Sequence, residues 1–215
     1  MSTVRTLSIA SVALALCATG PAAAQEVYFQ LGTEGIGVGY GQSLSPAAGI
    51  RGEANFGRVS RTFESDDVRY DTKLRLGGAG IYGDWFVSQG TFRLSGGLTV
   101  NDKKASGTGR SDANTVTLNG RTYSVVGEEL HGTIEFPRVM PYLGVGWGHD
   151  STAKGWGFNA DIGMLIGSPK VRLSATPGLA AAAGADIEAE RRSLQRDADD
   201  LKVFPVLKIG ATYRF

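Results

Sequence analysis

From Val203 to the end of the chain, alternate residues are apolar or aromatic: Val203, Pro205, Leu207, Ile209, Ala211, Tyr213 and Phe215. The intervening row, Phe204, Val206, Lys208, Gly210, Thr212 and Arg214, turns polar toward its end. A period of two is the signature of a strand with unlike faces. The pattern recurs. "WGFNADIGMLI" sets Trp156, Phe158, Ile162, Met164 and Ile166 against Asn159 and Asp161. "TFRLSGGLTV" sets Phe92, Leu94, Leu98 and Val100 against Arg93, Ser95 and Thr99. "GIRGEANF" sets Ile50, Ala54 and Phe56 against Arg51, Glu53 and Asn55. "TKLRLGGAGIYGDWFV" alternates too but slips phase near Gly77 and Gly78, as a β-bulge would make it do.

A soluble sandwich also alternates, but it buries its apolar faces together and has little use for aromatic strand ends. Here Trp85, Phe136, Trp147, Trp156, Tyr213 and Phe215 stand near the ends of the apolar rows. That placement matches the interfacial girdles of membrane barrels. After residue 25 no apolar run approaches the roughly 18 residues of a membrane helix. Strands of roughly 9–11 residues suit a tilted crossing of the hydrocarbon layer. In lipid only a helix or a closed sheet satisfies its own backbone. The reading is therefore all-β: a closed antiparallel transmembrane β-barrel.

The first residues stand apart. Arg5 gives a positive start, Leu7 to Cys17 is a short apolar run, and Ala22 and Ala24 suit a signal-peptidase cut before Gln25. Residues 1–24 read as a signal peptide and 25–215 as one barrel domain. Removal of 24 of the 215 residues takes Arg5 from the 22 basic side chains, leaving 21 bases against 21 acids. Zero net charge argues against nucleic acid as a partner, which demands a basic face. The single cysteine, Cys17, leaves with the signal, so no disulfide or thiol chemistry is expected.

Short connections ("SLSPA", "SQG", "PRV", "GSP") alternate with long ones at about 59–72, 102–128 and 179–201, with "HDSTAKG" between. Outer-membrane barrels have short periplasmic turns and longer external loops, so the short links are expected in the periplasm and the long ones outside. Nine extended stretches are visible, whereas a closed bacterial barrel wants an even number. Either residues 26–33 add a tenth strand or one stretch lies outside the wall, leaving eight. One segment reads as a helix, with Asp186 able to cap residues 187–201 and Glu188 placed to pair with Arg192. It is either a solvated cap or a helix that folds into the mouth and gates it.

If the apolar row faces lipid, the other row fills the lumen. The candidates for a solute path are Arg51, Glu53, Lys73, Arg75, Asp84, Arg93, Glu135, Asp161, Lys170, Arg172, Lys208 and Arg214. Such charges must pair or stay hydrated, so the row is either a structural salt-bridge plug or a charged conduit with Glu53, Glu135 and Asp161 as stations for a cation. Arg93, Lys170 and Arg214 are expected near the periplasmic end, as a basic ring that favours anions or as partners of acids at the same depth. An eight-stranded barrel is just wide enough for side chains to fill. The inward glycines 35, 37, 39 and 41 either free volume or permit tight curvature.

The segments "LGTEGIGVGYGQSLS", "VTLNGRTY", "PYLGVGWG", "GWGFNADIGM", "GSPKVRLS" and "FPVLKIGATYRF" give the chain a resemblance to small Gram-negative outer-membrane barrels, most closely the CarO-type family. The resemblance spans almost all of the chain after the signal. It implies eight strands and uptake of small basic amino acids such as ornithine, with permeability to some antibiotics. It also implies that Tyr213 and Phe215 form the signal presented to the barrel-insertion machinery. The basic excess among the lumen candidates departs from what a cation path wants.

Other chemistry finds little support. The only histidines are His131 and His149. His149 lies beside Asp150 and near Ser151, but adjacent loop residues rarely face one another as a triad must, and the two histidines lack metal-ligand spacing. "FESDDVRYD" reads as a solvated loop, or as a divalent-ion site at the lipopolysaccharide surface. No enzyme activity, metal or cofactor is expected. The expected partners are outer-membrane lipid and lipopolysaccharide, the insertion machinery and small polar solutes. The sequence thus points to an outer-membrane barrel acting as a narrow passive channel for small polar solutes, or to a closed barrel with a structural or surface role.

Overall fold

The alternating segments form strands throughout. The computed structural model describes residues 25–65, 68–111, 115–124, 126–149 and 154–215, with only the backbone described at 63–65, 68–70, 89, 110 and 111. The expected signal peptide lies outside the described residues, as do Asp150 and Ser151. In chain order the strands are β1 (Gln25–Gly32), β2 (Gly35–Ser45), β3 (Ala48–Phe56), β4 (Arg58–Ser65), β5 (Val68–Arg75), β6 (Gly78–Phe86), β7 (Phe92–Asn101), β8 (Lys104–Ser111), β9 (Thr115–Leu118), β10 (Arg121–Ser124), β11 (Leu130–Glu135), β12 (Val139–Trp147), β13 (Gly155–Ile166), β14 (Lys170–Ala175) and β15 (Val203–Arg214). One helix, α1 (Pro177–Asp199), precedes β15.

Eight strands close a barrel in the order β1-β15-β13-β12-β7-β6-β3-β2. Neighbours are antiparallel, and β1 seals the ring by pairing with β2 through Tyr28↔Gly39 and with β15 through Tyr28↔Thr212. The strand count is eight because one strand joins the expected nine and two stretches, not one, leave the wall. Residues 25–32 form a wall strand, while the stretches at 130–135 and 170–175 leave the wall. The links "PRV" and "GSP", expected as periplasmic turns, are instead joints between the barrel and a second sheet. One barrel end carries the first described residue, the C-terminus, the turn at Pro46 and Ala47, a 3-10 turn at Val87–Gln89, and Gly148, His149 and Lys154. The opposite end carries the turn at Thr33 and Glu34 and all three long excursions.

Those excursions build the second sheet, in the order β14-β11-β8-β5-β4. Each of its strands continues a barrel strand: β13, β12, β7, β6 and β3 respectively. The wall breaks at Gly57, Leu76–Gly77, Asp102–Lys103, 136–138 and 167–169, yet stays stitched by Leu76 N–H to Gly57 C=O (2.8 Å), Asp102 N–H to Gly77 C=O (2.9 Å) and Phe136 N–H to Lys103 C=O (3.1 Å).

What inverts at the breaks is polarity. In the barrel the outward row is apolar and exposed, with Trp156 at 80 % and Ile81 at 64 %. So continuous an apolar belt is at home in hydrocarbon rather than water. Counted in steps of two through the breaks, the lumen-side row becomes apolar in the second sheet: Val59, Leu74, Ala105, Ile134 and Val171 stand directly opposite one another. The outward row there becomes charged. The slip expected as a bulge near Gly77 and Gly78 is therefore a change of wet side, and the alternation keeps its phase.

The lumen is filled. Tyr82, Met140, Tyr142, Leu165 and Val206 form a buried cluster toward the loop-bearing end, with Phe136 and Phe204 packed against it. Phe136 thus points inward and does not join the girdle. Trp147 stacks edge-on to Phe92 (5.3 Å) and Trp156 to Tyr213 (5.2 Å) at the terminus-bearing end. The inward glycines make room for specific neighbours. A methyl group on Gly39 would fall inside the ring of Tyr28, and one on Gly41 would meet Glu26. Their volume is occupied and not open.

The helix is longer than the sequence indicated and starts at Pro177, whose fixed φ suits the first helical turn. The alanine run then favours helix despite Gly178 and Gly184. Its buried face is Leu179, Ala183 and Ile187, packed on Leu118 of the β9–β10 hairpin with Leu130 and Leu173 alongside. Leu194 and Leu201, which follow Ile187 at seven-residue steps, are exposed. Glu188 binds Arg191 bidentately (2.8 and 2.7 Å), while its contact with Arg192 is 3.9 Å. Asp186 does not cap the helix. It accepts hydrogen bonds from Asn119 (3.0 Å) and from the Tyr123 hydroxyl, which hold its carboxyl below the usual range. The helix is a cap on the second sheet, and the barrel mouth is filled by the Met140 cluster.

Two outcomes follow from this packing. Gly39→Ala should lower unfolding stability in detergent by about 1–3 kcal/mol through overpacking against Tyr28, whereas Gly52→Ala, whose added carbon meets nothing within 4 Å, should leave the midpoint unchanged. Because the folded carboxyl of Asp186 is depressed, its contribution exists above the unfolded value of about 4 and is lost as pH falls through the lower folded value. Hydrogen exchange over 177–199 should accelerate in that acidic window, and Asp186→Asn should flatten the response.

Candidate functional site: the charged interior

The inward row of the barrel brings acids and bases from six strands together along the height of the interior. Arg51 of β3 grips Asp84 of β6 through both nitrogens of its fork, one of them 3.1 Å away. Arg93 of β7 reaches Asp161 of β13 at 2.5 Å and lies 3.6 Å from Asp84. Ser95 donates to Asp84 at 2.6 Å. Near the loop end, Lys208 sits between Glu34 (2.6 Å) and Glu53 (2.5 Å), and Lys103 adds a second cation to Glu34 at 2.6 Å. Asn55 donates to Glu53 at 2.6 Å. Near the termini, Glu26 accepts from Arg214 (2.7 Å), Thr212 (3.1 Å) and the His149 ring.

Arg51, Arg93, Lys103, Lys208 and Arg214 face Glu26, Glu34, Glu53, Asp84 and Asp161, and all ten are buried. The equality has a physical cause: an unpaired ion in this layer costs several kcal/mol. The aromatic rings add to it, with the Arg51 guanidinium 5.3 Å from the Tyr82 ring centre and 5.8 Å from that of Tyr28. At the terminal end the remaining space between Glu26, Arg51, His149 and Arg214 is a cavity of about 10 Å³, room for about one water.

Seven of the twelve lumen candidates are therefore interior: Arg51, Glu53, Asp84, Arg93, Asp161, Lys208 and Arg214. The other five belong to the second sheet. Glu135 there takes Lys104 (2.8 Å) and Arg172 (3.3 Å), which hold its carboxyl below the usual range. Lys73, Arg75 and Lys170 are exposed on the same sheet. Followed in steps of two through the breaks, all five fall on the outward row; polarity alone places them in the lumen, because a charged row reads as the inner side of the wall and the two rows exchange polarity at the breaks. The expected basic ring near the periplasm loses Lys170, which lies at the opposite end, while Arg93 and Arg214 are matched by acids. Glu26, Glu34, Lys103 and His149 were missed as interior groups because they sit at a strand start, a turn, a strand break and a connection, outside the regular rows. His131 is on β11, 3.0 Å from Thr108, far along the chain from His149.

No protein-family model matches the chain, and no curated protein matches it. Solved structures do. The chain shares 19 % identity with Acinetobacter baumannii CarO2, covering 90 % of this chain and 98 % of that one at a TM-score of 0.65. Acinetobacter baumannii CarO shares 20 % identity over 88 % of this chain and 97 % of that one, at a TM-score of 0.61. The fold is that of the CarO-type outer-membrane barrels. It is a closed, eight-stranded, antiparallel transmembrane barrel, and the likeness to the CarO structures extends over almost the whole described chain.

The ion-pair layer carries its own test. Arg93→Met leaves Asp161 buried without its closest cation and should cost about 3–5 kcal/mol, read as a lower temperature for the gel-mobility shift of the folded barrel. Arg93→Met with Asp161→Leu leaves Arg51 and Asp84 matched and should recover most of the loss. A double variant as unstable as the single one would show that charge balance is not the cause.

Proposed function

We propose that this is an outer-membrane protein whose barrel is a closed anchor and whose second sheet, standing above the outer leaflet, is the working surface. The observation that carries this reading is the filled cross-section. The apolar cluster of Met140, Tyr142, Leu165 and Val206 occupies the level nearest the loops. The Arg51, Asp84, Arg93 and Asp161 layer occupies the next. The terminus-bearing end, with its short links, is assigned to the periplasm and the excursions to the outside. Tyr213 of β15 and Phe215, which follows it, are the features we assign to recognition by the insertion machinery. No catalytic step is part of this reading: His149, the side chain with the best claim to one, is buried against Glu26 and Arg214.

One observation favours the second reading, a narrow channel for small polar solutes such as amino acids. The side-chain amides of Gln30 and Asn159 and the Tyr82 hydroxyl are buried in the lumen without a protein partner. Buried polar groups normally find one, and a file of water or solute would supply it.

Conductance separates the two. The refolded chain in a planar bilayer should show no discrete steps in salt, and proteoliposomes should not swell in ornithine. Stepwise conductance, or swelling that exceeds protein-free vesicles, would replace the closed reading with the channel.

A further inference from the structure

We propose that the outward face of the second sheet, just above the apolar belt, is a binding site for the phosphorylated headgroup of an outer-leaflet glycolipid. The lowest outward row of that sheet runs across all five strands as Arg58, Arg75, Lys104, Glu135 and Lys170, each directly opposite the next. Three bases therefore stand side by side. Like charges directly opposite on one sheet face repel, and among the described residues the acids nearby offset Arg75 and Lys104 but not Arg58.

The side chains form a built pocket. Arg58, Ser60, Lys73, Arg75, Lys104 and Ser106 line a cavity of about 360 Å³. Four cations and two hydroxyls are a donor set suited to phosphate oxygens, which the arginine forks can engage two at a time. The acids of this face leave the pocket in excess positive charge. Asp102 binds Arg75 at 3.0 Å, Glu135 binds Lys104 at 2.8 Å, and Asp71 accepts from Thr62 at 2.7 Å. Arg58 and Lys73 have no acidic partner among the described residues.

An apolar surface lies immediately below. Across the strand breaks runs a groove of about 710 Å³, whose lower wall includes Phe56, Ala79 and Val100 and whose upper rim carries Lys104 and Arg138 together with Asp102 and Glu135, the acids already paired with Arg75 and Lys104. Gly77, between them, adds no side chain. A site that is apolar on the membrane side and cationic on the water side matches an amphiphile with an anionic head, held in place by the bilayer that surrounds the barrel. A soluble phosphate gains only the upper half of that site. A phospholipid of the opposite leaflet meets the other end of the barrel.

The inference rests on the outward placement of the loop-bearing end and not on whether the lumen conducts. A conducting barrel would leave it standing, and its failure would leave the closed barrel standing. The test uses the mature chain refolded into phosphatidylcholine vesicles containing bis-phosphorylated lipid A, then extracted in mild detergent for native mass spectrometry. Wild type should retain lipid A. It should not retain the dephosphorylated form, and inorganic phosphate at equal concentration should not displace the lipid. Arg58→Gln with Lys73→Gln should reduce retention about ten- to thirtyfold, the effect of two cations at an anionic surface, and Arg58→Lys with Lys73→Arg should restore it. Equal retention of the dephosphorylated lipid would overturn the proposal, since it would place the affinity in the acyl chains. Displacement by inorganic phosphate would overturn it in favour of a soluble-anion site. Undiminished retention in the glutamine variant would overturn the assignment to these residues. The comparison of lipids on wild type decides the matter even if a variant fails to refold.

Discussion

A single hydrogen-bonded wall serves two solvents. Its backbone ladder satisfies itself along the whole height, as it must where no water is available, but the side chains have to answer to hydrocarbon at one level and to water at the next. The level at which the answer changes is the set of breaks at Gly57, Leu76–Gly77, Asp102–Lys103, 136–138 and 167–169. Below it the outward row is apolar and the inward row charged. Above it the two exchange places. The remaining features follow. Inward charge in a small barrel demands equal numbers of acids and bases. An inward apolar row above the breaks demands a cover, which α1 and the β9–β10 hairpin supply at the β14 edge through Leu179, Ala183 and Ile187.

The interior is solved by volume as much as by charge. Tyr28 lies over Gly39, Tyr82 over Gly80 and Gly97, Tyr142 over Gly144 and Gly163, and Arg93 over Gly146. Each large side chain takes the space its neighbour gives up. A barrel of eight strands has little to spare, and these pairings turn a wall that could have surrounded a channel into one that surrounds a packed core. The same economy explains why glycine-rich strands here do not mean an open lumen.

Much of this was legible in the sequence. Alternation gave the strands, the aromatic ends gave the membrane, and the inward positions of Arg51, Glu53, Arg93, Asp161 and Lys208 followed from the period of two. Three things were hidden. A strand that leaves the membrane keeps its phase but exchanges the polarity of its two rows, so the charges of Lys73, Arg75, Glu135, Lys170 and Arg172 read as lumen residues although they lie on the outward row; pairing shows which sheet they join. Groups at turns and breaks, such as Glu34 and Lys103, belong to no row, and their burial depends on partners up to 174 positions away, as Lys208 is from Glu34. The start of the helix is masked by glycines within an alanine run, where Pro177 settles the matter only once Ala175 is known to end a strand.

Five of the eight wall strands rise into the second sheet, and β15, β1 and β2 stop at the rim. The molecule therefore has a front and a back when viewed down the membrane normal. One flank presents a tall, charged palisade. The other is low, apolar and ends at the short turn of Thr33 and Glu34. Rotation about that normal is not a neutral degree of freedom. A neighbouring lipid or protein meets one of two unlike surfaces depending on its bearing, so the arrangement of molecules around this barrel in the plane of the membrane is directional even though the barrel itself is nearly round.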